Sequence, residues 1–285
     1  MWIESLQKAI DYMEEHLLED ISVDDIASAS NFSPFHFQRT FALLTGVTVG
    51  EYLRRRRLTQ ATYDLGKTDM KIIEIALKYG FDSPEAFSKA FRRQHGMSPS
   101  QARKNEGKLK SYNRLVIQVN LKGAEPMNYR IEEKEEFHFI GMKRNFLMEN
   151  GEPPKGIPEF WDEVNESGAD EKLWRLNDGA VKGVLGVCVD QGAGSIDYWI
   201  GVAHEAEYAE NSDTLEKMTV PAAKWAVFEV HGAMPNAMVN TWKKIYSEWF
   251  PTSEYEYAGG PEFELYTEDD PFSENCYSEI WIPVK

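Results

Sequence analysis

One stretch of this chain is written twice. Asp25-Ile26-Ala27 leads to Asn31-Phe32 and then Ser33-Pro34-Phe35-His36-Phe37-Gln38-Arg39-Thr40-Phe41. Glu74-Ile75-Ala76 leads to Gly80-Phe81 and then Ser83-Pro84-Glu85-Ala86-Phe87-Ser88-Lys89-Ala90-Phe91. The copies lie about 50 residues apart, with Asp82 as an extra residue in the second turn. A short helix, a turn that needs a left-handed residue (Asn31, Gly80) and a second helix opened by Ser-Pro form a helix-turn-helix pattern. Two copies imply two DNA-reading helices on one chain.

The formal net charge of −16 opposes nucleic-acid binding only if it is spread evenly. It is not: residues 1–110 are close to neutral, so the acidity belongs to the second half. The basic groups of the first half cluster at Arg54-Arg55-Arg56-Arg57 and Arg92-Arg93. A length of 285 residues allows two domains with ordinary cores. The apolar runs fall short of the ~18–20 residues a membrane span needs. The acidic, amphipathic start Met1-Trp2-Ile3-Glu4 is unlike a secretory signal. Cys188 and Cys276 are the only cysteines, too few for a disulfide framework or a cysteine zinc site, so a cytoplasmic location is expected. His36 and His95 read as structural or exposed residues. No metal or cofactor is expected.

Ile3, Leu6, Ile10, Met13 and Leu17 follow the spacing of one helix face. Asp24–Ala29 and the segment around Ile72–Tyr79 read as supporting helices. Pro34–Thr45 and Pro84–His95 read as the two reading helices, stopped by Gly46 and Gly96. Gly50–Leu65 forms a long basic helix between them. Each reading helix must keep Phe37 and Phe41, or Phe87 and Phe91, in a core and turn the opposite face to the major groove. Phe35, Gln38 and Arg39 lie on that face of the first, and Glu85, Ser88, Lys89 and Arg92 on that of the second. Arg54–Arg57 surround a helix, so all four cannot touch DNA. Arg55 is the expected phosphate contact.

Residues 1–107 resemble the DNA-binding domain of the AraC/XylS transcription regulators. The resemblance rests on Ile26-Ala27 to Phe41, Gly50-Glu51-Tyr52-Leu53-Arg54, and Ile75-Ala76-Leu77-Lys78-Tyr79-Gly80-Phe81 through Phe91 to Met97-Ser98-Pro99. It implies base contacts at Phe35, Gln38, Arg39 and Lys89, and it implies activation. Family members often carry Trp at the position of Phe35, and Pro84 and Glu85 replace common donors.

Residues 108–126 are read as a linker, in which Leu115-Val116-Ile117-Gln118-Val119 could be a short strand. A weaker repeat follows over residues 127–285. Strands at Phe137–Met142, Val184–Val189 and Ile196–Val202, with a helix near Ile157–Val164, match strands at Trp225–Val230, Phe263–Tyr266 and Tyr277–Val284, with a helix at Ala237–Phe250. This is an α+β domain of two pseudo-symmetric strand-helix-strand-strand halves. Alternation places Trp199, Glu264, Tyr266, Glu279 and Trp281 together, with the small residues Gly186 and Cys188, in a concave ligand site. Core or dimer packing is the alternative for Trp199 and Trp281; Trp161, Trp242 and Trp249 read as ordinary packing. An aromatic wall with a carboxylate suits a lipophilic cation.

The motifs Trp225-Ala226-Val227-Phe228-Glu229-Val230-His231-Gly232, Phe263-Glu264-Leu265-Tyr266 and Glu279-Ile280-Trp281-Ile282-Pro283-Val284 make this half similar to GyrI-like small-molecule-binding domains. That order of domains is known in Rob-like regulators. The resemblance implies an effector pocket with Glu264 as its acidic residue. The expected function is a DNA-binding regulator gated by a small molecule, not an enzyme, with RNA polymerase as a further expected partner. The alternatives are a small-molecule hydrolase with Glu264 as general base and an acidic half that only docks a partner protein.

Overall fold

The computed structural model describes residues 2–104, 107–117, 126–147, 156–192, 194–205 and 215–285. Among the described residues, seven helices form the first region: α1 (Trp2–Glu15), α2 (Val23–Ser30), α3 (Pro34–Thr45), α4 (Val49–Lys67), α5 (Ile72–Lys78), α6 (Pro84–His95) and α7 (Pro99–Arg103). Local chemistry fixes the ends. Ser22 and Asp25 close a reciprocal capping box on α2, and Ser33 and Ser83 cap α3 and α6 ahead of their prolines. The turns into α3 and α6 use the left-handed region at Asn31 (φ 59°) and Gly80 (φ 75°), as the repeat requires.

Helix α4 joins two small cores. Tyr52 and Leu53 on its first turns pack with α1, α2 and the Phe37/Phe41 face of α3. Leu58, Ala61 and Leu65 pack with Ile75, Phe87 and Phe91. The four arginines divide their work. Arg54 is exposed. Arg55 pairs with Glu51 and lies over the Tyr112 ring at 4.8 Å. Arg56 is buried, with Nε and Nη2 each 2.7 Å from the Glu14 carboxylate and Nη1 donating to the Tyr112 carbonyl. Arg57 donates to the carbonyls of Leu17 and Glu19 beyond the end of α1.

The expected strand at 115–119 is not formed over residues 115–117, and residues 118 and 119 lie outside the described residues. Instead residues 110–115 run along the helical region. Tyr112 donates its backbone N–H to Thr59 Oγ1 and Leu115 donates its own to the Tyr52 hydroxyl, while Leu115 and Ile117 cover the first core. These two backbone N–H groups are satisfied by side chains and need no sheet partner.

The second region is one antiparallel sheet with helices on one face. Its strands are β1 (Tyr129–Lys134), β2 (Phe137–Leu147), β3 (Val184–Gly192), β4 (Ser195–Ala203), β5 (Glu216–Val220), β6 (Ala223–His231), β7 (Glu262–Tyr266) and β8 (Tyr277–Val284), in the order β1-β6-β8-β7-β3-β4-β2-β5. Helices α8 (Ile157–Glu166) and α9 (Ala169–Leu176) cover one half. Helix α10 (Asn236–Lys244) covers the other and continues through a π-helical turn, Ile245–Trp249. The two expected halves meet at the β3–β7 pair. Each half also lends an edge strand to the other, β1 to β6 and β5 to β2. These edge strands and α9 were not anticipated from the sequence.

Arg56→Ala is expected to cost about 1–3 kcal/mol, because it leaves the half-buried Glu14 carboxylate with only the Tyr52 hydroxyl as donor. Arg54→Ala is expected to stay within about 0.5 kcal/mol. Urea unfolding of the two variants checks the division.

Candidate effector cleft and DNA-reading helices

The β3–β7 pair sets the site. Gly186 stands opposite Glu264 and Cys188 opposite Glu262, all on the sheet face that carries the helices. A Cβ at Gly186 would clash with the Tyr198 hydroxyl and come within 3.1 Å of Trp161, so the glycine leaves room for these two rings. Trp161 Nε1 donates to the Tyr198 hydroxyl at 2.9 Å, and its ring meets Tyr266 edge-on at 5.0 Å. The Tyr266 hydroxyl and Trp242 Nε1 each donate to Glu264 at 2.7 Å. Tyr246, brought round by the π-helical turn, stacks on Trp242 at 5.7 Å. The result is an aromatic cleft between the two helical covers with two carboxylates on its floor.

The cleft is occupied by the protein itself. Arg39 of α3 places its guanidinium carbon 3.7 Å from the centre of the Trp242 ring. Its Nη1 donates to Glu262 at 2.9 Å, and Nη2 lies 3.7 Å from Glu264. His36 Nδ1 is 3.1 Å from the other Glu262 oxygen, and the His36 ring stacks flat on Tyr257 at 4.2 Å. Phe35 enters the apolar core beneath α8 with Phe146 and Phe160. Burial of its ring is worth roughly 1.5–3 kcal/mol.

Two corrections follow. Phe35, Gln38 and Arg39 were expected to face solvent. Phe35 and Gln38 are 8% and 3% exposed and Arg39 is largely covered, because α3 is packed on both sides. His36, read as structural or exposed, is the first of these: it is buried at the centre of this contact. The five expected ligand residues are also split. Glu264 and Tyr266 line the cleft, whereas Trp281 pairs with Phe263 and Trp199 with Val187 on the opposite face. There Trp281 stacks on Phe263 at 5.2 Å, and Glu279 accepts hydrogen bonds from Trp281, Tyr277 and Arg130. Trp199 and Trp281 are core residues, and Glu279 is a pinned buried carboxylate.

Glu262, Trp161, Trp242 and Tyr246 were missed. Glu262 had a readable signal, since it lies two residues from Glu264 on the same strand face. The aromatic residues had none, because a helix's inward face does not say what it packs against.

The second reading helix is the opposite case. On α6, Glu85, Lys89 and Arg92 are exposed and Ser88 is half-buried. Its apolar side, Phe87 and Phe91, is fully buried. Lys89 corresponds to Arg39 in the repeat, so the same motif presents one basic group to solvent and encloses the other.

Burial pulls the Arg39 pKa down, but Glu262 and its neighbours outweigh this and hold the guanidinium firmly charged. Burial likewise pushes the Cys188 thiol up to about 12. Among the described residues there is no group of side chains fit to hold a metal ion. No helix among them is long and apolar enough to cross a membrane.

Residues 130–284, more than half of the chain, match the family described as integron-associated effector binding protein, and residues 13–105 match a helix-turn-helix domain. The HTH-type transcriptional activator AarP of Providencia stuartii is 41% identical over 106 residues, 37% of this chain and 76% of that protein. This chain belongs to the AraC family. The regulator's second domain belongs to the integron-associated effector binding proteins. The uncharacterized HTH-type transcriptional regulator YbfP of Bacillus subtilis is 46% identical over 99 residues, 35% of this chain and 34% of that protein. The match therefore spans about a third of that relative's length. The solved structure of SAV2435 bound to tetraphenylphosphonium is 27% identical, covering 56% of this chain and 94% of its own, with a TM-score of 0.49. The chain is a DNA-binding transcriptional regulator.

Glu262 gives a pH test. Burial alone would raise its carboxyl, but the His36 hydrogen bond and Arg39 hold it below the ordinary value of 4.5. A depressed folded pKa stabilises above the unfolded value, and that gain is lost as pH falls through the folded one. Glu262→Gln is therefore expected to cost about 1.5–3 kcal/mol at neutral pH. The gap to the wild type should close as the pH drops below 4.5, read by chemical denaturation across pH.

Proposed function

We propose that the regulator is a sequence-specific transcriptional activator whose cleft takes a lipophilic cation. The carrying observation is that a delocalised cation already sits on Trp242 beside Glu262 and Glu264. Such a site offers cation–π attraction and ion pairing at once, in a pocket too apolar to leave its carboxylates unpaired. Activation is supported by AarP, whose name describes it as an activator. DNA contact falls to Lys89, Arg92 and Ser88 of α6, with Arg55 on phosphate and, once α3 is free, Phe35, Gln38 and Arg39.

Tetraphenylphosphonium is a suitable probe, having one delocalised charge under four rings. At a hundredfold excess over its Kd it should stabilise the protein by about 2.7 kcal/mol in thermal shift. Glu264→Gln should remove that stabilisation, and neutral triphenylphosphine oxide should give none. Equal stabilisation by both compounds would sink the cation reading.

On DNA, Lys89→Ala is expected to relax one base position by about 1–3 kcal/mol. Arg92→Ala should weaken all sequences alike and lower the salt slope by about 1. Anisotropy titrations on a selected duplex and its single-base variants separate the two, and no sequence preference in a folded sample would refute the regulator's specificity.

A further inference from the structure

The two reading helices share a sequence pattern but not an environment. Helix α6 presents Lys89 and Arg92 to solvent, while α3 has Phe35, His36 and Gln38 buried and Arg39 enclosed by the effector domain. A helix closed on both sides cannot enter a major groove. The group that closes it is the one residue on α3 best suited to read guanine.

We propose that Arg39 is the cleft's built-in ligand: it holds α3 away from DNA, and a lipophilic cation entering the cleft takes its place and releases α3. This rests on the cation reading of the cleft given above and adds the direction of control. The argument is one of charge. If α3 left alone, Glu262, 4% exposed with α3 in place, would lose both the guanidinium and the His36 ring that pair with it. Glu264 would keep its bonds from Trp242 and Tyr266 but lose its nearby cation. Withdrawal without replacement is therefore opposed. An incoming cation restores the positive charge and covers the Trp242 face that the guanidinium uncovers, so exchange is favoured where simple opening is not. A neutral molecule of similar shape fills the space but leaves the carboxylates bare, and does not exchange. One guanidinium and one ligand cannot share the same face of Trp242, so cleft occupancy and α3 docking exclude each other. By linkage, whatever the cation adds to DNA affinity, DNA adds to cation affinity.

The test uses the full chain, tetraphenylphosphonium and a duplex that the protein selects from a random pool. Removing the internal competitor should tighten cation binding, so Arg39→Ala is expected to bind tetraphenylphosphonium about tenfold more tightly than the wild type by calorimetry. Saturating cation should raise wild-type DNA affinity by about tenfold, and triphenylphosphine oxide should leave it unchanged. Glu262→Gln should bind DNA tightly without the cation and gain little from it. Equal cation affinity of wild type and Arg39→Ala, or wild-type DNA affinity unchanged or lowered by bound cation, would overturn the exchange while leaving the cleft's ligand class standing. Failure of every variant to bind the cation would overturn the cation reading and the exchange together. The wild-type DNA titration needs no substitution and decides the matter even if Arg39→Ala does not fold.

Discussion

A guanidinium on an indole, with a buried carboxylate at its edge, is what the arrangement of this regulator depends on. Arg39 joins the reading helix of one domain to the cleft-lining strand and helix of the other. Ion pairs at a surface are worth little, but this one is largely removed from water, so removing the guanidinium while α3 stays docked leaves a charge where solvent cannot replace the partner. His36 on Tyr257 and Phe35 under α8 extend the contact on either side. The docking of α3 is a composite of one charged centre and two apolar flanks, the anatomy of a specific interface.

That contact separates two helices that arose from one pattern. Both have a serine cap, a proline at the first turn, a pair of phenylalanines four residues apart in the helical core and a glycine stop. Their cores differ little in kind. What differs is the far side, where α3 meets a folded domain and α6 meets none among the described residues. The two reading helices are built from the same parts, and the chain presents one to solvent and encloses the other.

The effector domain shows how strand parity decides chemistry. In β7, Glu262, Glu264 and Tyr266 share the helix-covered face, while Phe263 and Leu265 join the aromatic core on the other. Glu264 stands opposite Ile280 in β8, not Glu279. A shift of one residue in that pairing would exchange the faces, moving a carboxylate from the aromatic cleft into a hydrophobic layer. Gly186 completes the cleft from the facing strand because any side chain there would displace Tyr198.

Much was legible in the chain alone. The repeat marks both helix-turn-helix units because turns, caps and prolines are local signals, and the structure uses Asn31, Gly80, Ser33 and Ser83 as their chemistry requires. The two halves of the effector domain, and the sharing of one strand face by Glu264 and Tyr266, follow from periodicity. The faces of Trp199, Glu279 and Trp281 relative to Glu264 did not follow. Alternation says which residues of one strand share a side, but only pairing between strands says which sides coincide. The roles of Arg56 and Arg57 were hidden for a related reason, since their partners, Glu14 and the end of α1, lie far away in sequence. Above all, the sequence could name the outward face of α3 but not what would lie against it. A basic residue on such a face looks the same whether it meets a phosphate, a guanine or a glutamate 223 residues further along the chain, and only the tertiary structure brings Glu262 to Arg39.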